Sequence, residues 1–351
     1  MRRGERIMMV GSAERSRGGV ASVIRTMKAM PFWNNYNCFW LGTQIQGNKL
    51  QKLSYALKSY FVALFRIWKY DVIHFHTVPD FICLVIQLPV FLLAVGGRKK
   101  IIMQLHMGNQ LEEHTHDRLF NWCMRRSDLI IVLADLWKNK FETEWFPNLK
   151  TPVRVLHNAI MHMEDIPYEL HDNTILFAAY FDKNKGYNLL LDAYKKIYRK
   201  YPEWHLIMMG NGGVNDAKEY AKRLGLTEKD VSFPGYLTGN AKKDVFQKGG
   251  IFCLCSYQEG FPIVVLESWQ YGIPLVTTPV GGLPDVIVNG KNAITFPFGD
   301  IDCLAKQIQL LIEDKNKRKE MSDFSKVFVE KNFSTTLINS KLEEIYKNLI
   351  S

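Results

Sequence analysis

The sequence lacks paired cysteines. Its six, Cys38, Cys83, Cys123, Cys253, Cys255 and Cys303, include no Cys-x-x-Cys and sit in apolar surroundings, as reduced core cysteines do. That argues against a disulfide scaffold and for the cytoplasm. A long apolar run is also missing. The longest, residues 81–95, contains Gln87 and Pro89 and is too short to span a bilayer. The opening residues, MRRGERIMMVGSAERS, return to polar residues soon after the four apolar ones at 7–10, so no signal peptide is expected. There is no Gly-x-Gly-x-x-Gly, which removes the dinucleotide fingerprint. No RNA-binding aromatic motif, zinc finger or uninterrupted basic block is present, so nucleic acid is not an expected partner.

What is present is a basic first half. Net charge is +10 over 351 residues. Residues 1–165 carry 22 Lys+Arg against 13 Asp+Glu, and the remainder 23 against 22. A basic half suits phosphates or an anionic membrane surface.

Short β-rich apolar runs alternate with helical stretches along the whole chain. RIMMVG (6–11), DVIHFH (71–76), IIMQLH (101–106), LIIVLA (129–134) and VRVLHN (153–158) form a first set. TILFAAY (174–180), HLIMMGNG (205–212), VSFPGY (231–236), GIFCLCS (250–256), PLVTT (274–278) and NAITF (292–296) form a second. Runs of this kind suit parallel strands buried on both faces. Two successive βαβα blocks predict an α/β protein of two doubly wound domains facing each other. The expected division is 1–162 and 163–330, with a hinge near 159–172. A C-terminal helix lies within 331–351, and packing back on the first domain is one arrangement open to it. In KLQKLSYALKSYFVALFRIWKY (49–70), Leu50, Leu53, Leu57, Phe61, Leu64 and Trp68 form one helical stripe. The expectation is a packed helix with a solvated basic face; contact with a membrane surface is the alternative.

Ligands of doubly wound sheets bind beyond the carboxyl ends of strands. After the first strand, Gly18 and Gly19 precede a helix whose free amides favour anions, with Arg15 and Arg17 beside them; a structural turn is the plain alternative. His106 ends a strand, where it can bond a hydroxyl or move a proton, although a packed core histidine is as ordinary. His74 and His76 point the same way on their strand; packing is the expectation, and a pair near the cleft is the alternative. EEHTHD (112–117) lacks ligand spacing for a metal. Lys183 and Lys185 precede a helix. In EGFPIVVLESWQYG (259–272), Pro262 is expected as the first helical residue, Gly272 as the stop, and Ile263 and Val264 as free amides. Glu259 before this helix and Glu267 on it suit sugar and ribose hydroxyls about an anion site. Two exposed or paired glutamates are the alternative.

The motifs KGYNLLLDAY (185–194), IMMGNG (207–212), VSFPGY (231–236) and SYQEGFPIVVLESWQYGIPLVTTPVGGLPDVI (256–287) resemble retaining glycosyltransferases of family 4, with the GT-B fold. GGV (18–20), DVIHFH, LH (105–106) and HN (157–158) are consistent with it. The resemblance implies two facing Rossmann-like domains with a cleft between them. It implies that Glu259 contacts donor-sugar hydroxyls, Glu267 the ribose, and Gly260, Phe261, Pro262, Ile263 and Val264 the sugar and phosphate. Lys185 would neutralise the diphosphate, His106 would lie beside the reacting sugar, and Gly18 and Gly19 would line the phosphates. Tyr180, Gly210 and Tyr236 complete the donor-binding set. The family is metal-independent and needs no cofactor. One departure stands out: where the family has Gly-Arg, this chain has Ala179-Tyr180, leaving Lys183, Arg15 or Arg17 to supply the missing charge.

The implied reaction is transfer of a hexosyl unit from a UDP-linked sugar to an acceptor hydroxyl. The implied acceptor is a lipid-linked glycan intermediate of a surface polysaccharide, with peripheral contact at the inner membrane face. A sugar-nucleotide epimerase and a non-catalytic donor-binding subunit are the alternatives on the same fold.

Overall fold

The computed structural model describes residues 5–106, 110–161 and 173–350. The chain divides into two compact units, residues 1–161 with 333–351, and residues 162–332. Most of the expected hinge falls outside the described residues.

The first unit is built on β1 (Ile7–Ser12), β2 (Phe39–Gln44), β3 (Val72–Thr77), β4 (Lys100–Leu105), β5 (Leu129–Val132) and β6 (Val153–Val155). All pair in parallel, in the order β2-β1-β3-β4-β5-β6. β3 is buried along its whole length, which is why it reads as an unbroken apolar run apart from its histidines. β2 is missing from the sequence reading. It is an edge strand, half-buried at alternate positions, so Gly42, Thr43 and Gln44 dilute its apolar signal.

The helices of this unit are α1 (Gly19–Lys28), α2 (Phe32–Asn35), α3 (Lys49–Arg66), α4 (Phe81–Gly96), α5 (Gln110–Glu113), α6 (Arg118–Arg126) and α7 (Asp135–Lys140). Right-handed crossovers put α3, α4 and α6 on one face of the sheet, where α4 packs on both α3 and α6.

The expectation for residues 49–70 is overturned. The buried residues of α3 are Ser59 and Ala63. Its large apolar stripe faces outward: Leu50, Leu53, Leu57, Phe61 and Phe65 are 78, 58, 52, 57 and 74% exposed, and Trp68, just beyond the helix, is 57% exposed. The cause is close packing along the small-residue edge. Ser59 Oγ donates to the Gly42 carbonyl at 2.5 Å, and a Cβ on Gly42 would stand 2.9 Å from Tyr55 Oη. The helix lies against β2 through Ser59 and Ala63, so the leucines and phenylalanines have no side of the sheet to enter.

The second unit contains β7 (Thr174–Ala178), β8 (His205–Met209), β9 (Val231–Gly235), β10 (Ile251–Leu254), β11 (Leu275–Thr277) and β12 (Ala293–Thr295). Its order is β12-β11-β10-β7-β8-β9, all parallel. The direction of winding reverses between β7 and β10, the switch point at which such sheets bind ligands. Its helices are α8 (Tyr187–Ile197), α9 (Val214–Arg223), α10 (Gly239–Gln247), α11 (Ile263–Gln270), α12 (Ile301–Glu313) and α13 (Lys315–Phe333). α8 packs on α9 and α12. Leu190, Tyr194, Leu206, Met208 and Ile308 are among the residues of the core beneath them. The last helix, α14 (Thr335–Ile350), belongs to the first unit and packs on α1 and α2. Asn339 Oδ1 accepts from the Phe32 amide at 2.9 Å and so caps the start of α2.

α11 starts one residue later than the sequence suggests. Pro262 is the N-cap, with an extended ψ of 115°, rather than the first helical residue. Its ring leaves it no amide to lose in either position. The C-terminus matches the expectation: Gly272 is left-handed, at φ 69°. Its amide bonds Trp269 O at 3.0 Å, and the Ile273 amide bonds Ser268 O at 2.8 Å, a Schellman closure. A Cβ on Gly272 would collide with Ser322 Oγ and lie 2.7 Å from Lys326 Cε. Gly272→Ala is expected to cost the second unit about 1–2 kcal/mol from the left-handed backbone alone, with the collision adding to it. Urea unfolding checks this, and an unchanged midpoint would contradict it.

Candidate active site

Three loops of the second unit converge at the switch point. The loop after β7 forms a 3₁₀ turn, Lys183–Lys185, capped by Asp182, whose carboxylate accepts from the Lys185 amide at 2.9 Å. Gly186 follows at φ 65° and opens α8; a Cβ there would overlap the Cys255 carbonyl. Only glycine permits this approach. The Tyr257 amide then bonds Asn184 O at 2.7 Å, and Asn184 Nδ2 bonds Gln258 O at 3.2 Å. The third loop follows β11. There the Gly282 amide bonds Gly260 O at 2.8 Å, and Thr278 Oγ1 bonds Ser256 O at 2.6 Å.

The stitched loops fix the Glu259 carboxylate. Its Oε1 receives Lys185 Nζ at 2.7 Å and the Oγ of fully buried Ser256 at 2.7 Å. The Lys185 and Glu259 side chains retain only 21 and 12% of their exposure. A pair this shielded is held by geometry: removing either partner leaves a poorly solvated charge. A few residues along, Glu267 on α11 pairs with Lys242 on α10 at 2.5 Å. Both glutamates are therefore ion-paired in this structure. Between them lies the start of α11, where no side chain caps the helix. The amides of Ile263 and Val264, its first two residues, have no carbonyl to bond within it. Phe261 and Pro262 are buried and Gly260 half-buried.

Tyr180, Gly210 and Tyr236 end neighbouring strands. The Gly210 amide bonds Gly235 O at 2.9 Å, just before Tyr236. The Tyr180 ring lies across Gly212, where a Cβ would come within 2.7–2.9 Å of three ring carbons. Tyr180 is 54% exposed, so it packs by its face and brings no charge to the position.

Gly18, Gly19 and His106 belong to the first unit. Gly18 caps α1 at φ 140° with no side-chain bond, and both glycines are exposed. A Cβ on either would meet nothing within 4 Å, so packing does not demand them; at Gly18 the backbone angle does. His106 follows β4 and joins a stack. His74 and His76 lie 4.5 Å apart, His76 and His106 5.1 Å, all nearly parallel. Tyr346 Oη of α14 meets His74 Nδ1 at 2.8 Å, and His76 Nδ1 meets His106 Nε2 at 2.9 Å. His76 Nε2 faces Met9 Sδ at 3.4 Å. A thioether has no proton to give, so His76 is best protonated at Nε2. His106 then donates from Nε2 and keeps Nδ1 as an acceptor. Burial holds the stack neutral: it pushes His74 and His106 down to about 3, and His76 well below its ordinary value. In EEHTHD, His114 Nδ1 meets Asp117 Oδ2 at 2.6 Å. Among the described residues no three His, Cys, Asp or Glu are grouped to hold a metal ion.

Residues 162–327, nearly the whole second unit, match the family model of glycosyl transferases group 1. Through this unit the chain is similar to the group 1 glycosyltransferases. A glycosyltransferase of Haemophilus influenzae is 27% identical over 58% of this chain and 57% of its own length. A capsular polysaccharide biosynthesis glycosyltransferase, CapM of Staphylococcus aureus, is 27% identical over 52 and 48%. The chain thus spans about half the length of the curated relatives it matches. The crystal structure of Anabaena HepE in complex with UDP-glucose superposes with a TM-score of 0.76 at 17% identity, covering 98% of this chain and 99% of that one. The fold is GT-B.

In the second unit, sequence reasoning missed Lys242 and Ser256. Lys242 sits in GNAKKDVFQ, where nothing distinguishes it from Lys243 except the face set by Phe246, whose ring its Nζ overlies at 5.3 Å. Ser256 was legible only as a residue three before Glu259.

In the first unit the depressed histidines set a pH dependence. The unfolded chain titrates them near 6.5 and the folded one well below that. The unfolded state therefore binds more protons in between, and stability falls as pH drops from 6.5. The slope is about 1.4 kcal/mol per pH unit for each histidine. Hydrogen-exchange protection of β3 amides is expected to weaken between pH 7 and pH 5, and to weaken less in His74→Phe. Equal loss in both would contradict this.

Proposed function

We propose that this group 1 glycosyltransferase moves a hexosyl unit, with retention of configuration, from a UDP-linked sugar to an acceptor hydroxyl. The observation that carries the reading is the Lys185–Glu259 pair, fixed at the switch point beside the uncapped start of α11. Lys185 is a cation already held there by a partner that a diphosphate can replace. On donor binding it turns to the phosphates and stabilises the charge that develops on the leaving group, the usual large contribution in such chemistry. The first amides of α11 serve the same anion. Glu259, released from Lys185 and still oriented by Ser256, accepts hydroxyls of the sugar. Glu267 accepts the ribose hydroxyls, with Lys242 holding its rotamer. His106, neutral and keeping Nδ1 as an acceptor, suits a hydroxyl rather than a phosphate. The acceptor is a lipid-linked glycan intermediate of surface polysaccharide synthesis, which the basic first half and the capsular polysaccharide role of CapM support.

Tyr180 favours one other reading, a donor-binding subunit without catalysis, because it leaves the diphosphate one charge short. Release of the nucleoside diphosphate separates the two. Lys185→Ala is expected to lower kcat about 10²–10³-fold, by analogy with loss of one oxyanion donor, and Glu259→Ala to remove most activity. Glu267→Ala is expected to act first on the donor KM. Circular dichroism should show all three folded. Full activity in Lys185→Ala and Glu259→Ala together would overturn the site, and donor binding without any nucleoside diphosphate release would favour the subunit reading.

A further inference from the structure

The exposed stripe on α3 needs a partner, and its charge says which. Residues 15–70 carry nine Lys or Arg and no Asp or Glu. Within them, Lys49, Lys52, Lys58 and Lys69 are exposed and pair with no carboxylate among the described residues. The outward residues Leu50, Leu53, Leu57, Phe61, Phe65 and Trp68 recur every three or four positions, one continuous helical face. α4, packed alongside on the same side of the sheet, adds Phe81 and Ile82, which are 63 and 66% exposed. At the start of α3 a recess of about 430 Å³ is lined by Arg15, Leu50, Ser54, Tyr55 and Lys58, with the Arg15 guanidinium 5.6 Å from the Tyr55 ring centre.

A solvated helix buries its large apolar residues and exposes its lysines. This one exposes both and buries serine and alanine. Leucine, phenylalanine and tryptophan flanked by lysine, with no acid within reach in sequence, is the composition of a helix lying in a bilayer interface. We infer that α3 and the start of α4 dock on an anionic lipid bilayer. The stripe enters the boundary between headgroups and acyl chains, and Lys49, Lys52, Lys58 and Lys69 lie at phosphate level. The Arg15–Lys58 recess takes one headgroup phosphate. No helix among the described residues is long and apolar enough to cross a membrane, so the contact is with one surface. A protein partner with an acidic groove, or a second copy of the chain, would cover the apolar residues equally well. A second copy, however, would bring the same lysines face to face without a counter-charge. The surface is independent of the transfer reaction and is tested without it.

The experiment is sedimentation of the full chain with vesicles of phosphatidylcholine alone, or with 30% phosphatidylglycerol, at low and high salt. The bound fraction should rise with the anionic lipid and fall with salt, since each basic residue near such a surface contributes separately. Leu53→Ser/Leu57→Ser/Phe61→Ser is expected to lower the vesicle partition coefficient at least tenfold while leaving Tm unchanged, because these side chains touch little. Lys52→Glu/Lys58→Glu is expected to abolish the preference for the anionic vesicles. Equal partition of wild type and the triple variant would overturn the proposal. So would a wild type that is dimeric in solution and fails to bind vesicles, with the triple variant monomeric.

Discussion

The close approach of the β7 and β10 loops governs the second unit. It exists because Gly186 has no Cβ to press on the Cys255 carbonyl. Once the strands end so near one another, the Asn184–Tyr257 and Asn184–Gln258 bonds follow, and Lys185 is delivered to Glu259 across 74 residues of sequence. The same economy repeats on the other side of Glu259. There Gly281, at φ 66°, lets the β11 loop close on Glu259 and Gly260. A carboxylate with a lysine and a buried serine on one oxygen has little freedom left. Preorganisation of this kind is what a site that stabilises developing charge requires.

The first unit uses a different device. Its inward polar column is three stacked neutral histidines, tied at one end to Tyr346 of α14 and ending at His106. The chain's last helix therefore reaches the residue that the family resemblance sets beside the reacting sugar. Residues remote in sequence fix the tautomer of a single imidazole. On the opposite face of the same sheet, α3 packs through its smallest residues and turns its largest outward. One sheet thus carries a rigid polar spine on one side and an unpartnered apolar stripe on the other.

Much of this was legible in the sequence. Eleven of the twelve strands announce themselves as apolar runs; central ones such as β3, β5 and β10 are buried along their length and have no polar phase to blur the signal. β2, an edge strand, escaped because Gly42, Thr43 and Gln44 dilute its apolar signal. The Glu259–Glu267 spacing pointed to the loop and helix that carry the two ion pairs, and Gly272 to the helix stop. Pro262 was misplaced by one residue because an N-cap and a first helical position make the same demand of a residue without an amide. The partners of the two glutamates were half visible. Lys185 could be named from its motif, whereas Lys242 depends on which way α10 rolls against α11. The periodicity of α3 was read correctly except at Leu64, which is half-buried while Phe65 faces outward, and its direction was read wrongly. A moment locates the apolar face of a helix and says nothing about which face meets the sheet, and here Ser59 and Ala63 decided it.

The central claim is that the Lys185–Glu259 pair marks the diphosphate end of a nucleotide-sugar site. Calorimetric titration of UDP into the full chain and into Lys185→Met tests it most directly, since UDP is the part common to every proposed donor. The account predicts binding to the wild type and an affinity at least tenfold weaker in the variant, the loss of one charge-assisted contact of about 1.5–3 kcal/mol. Equal affinity in the two proteins, or no binding of UDP to the wild type, would contradict it.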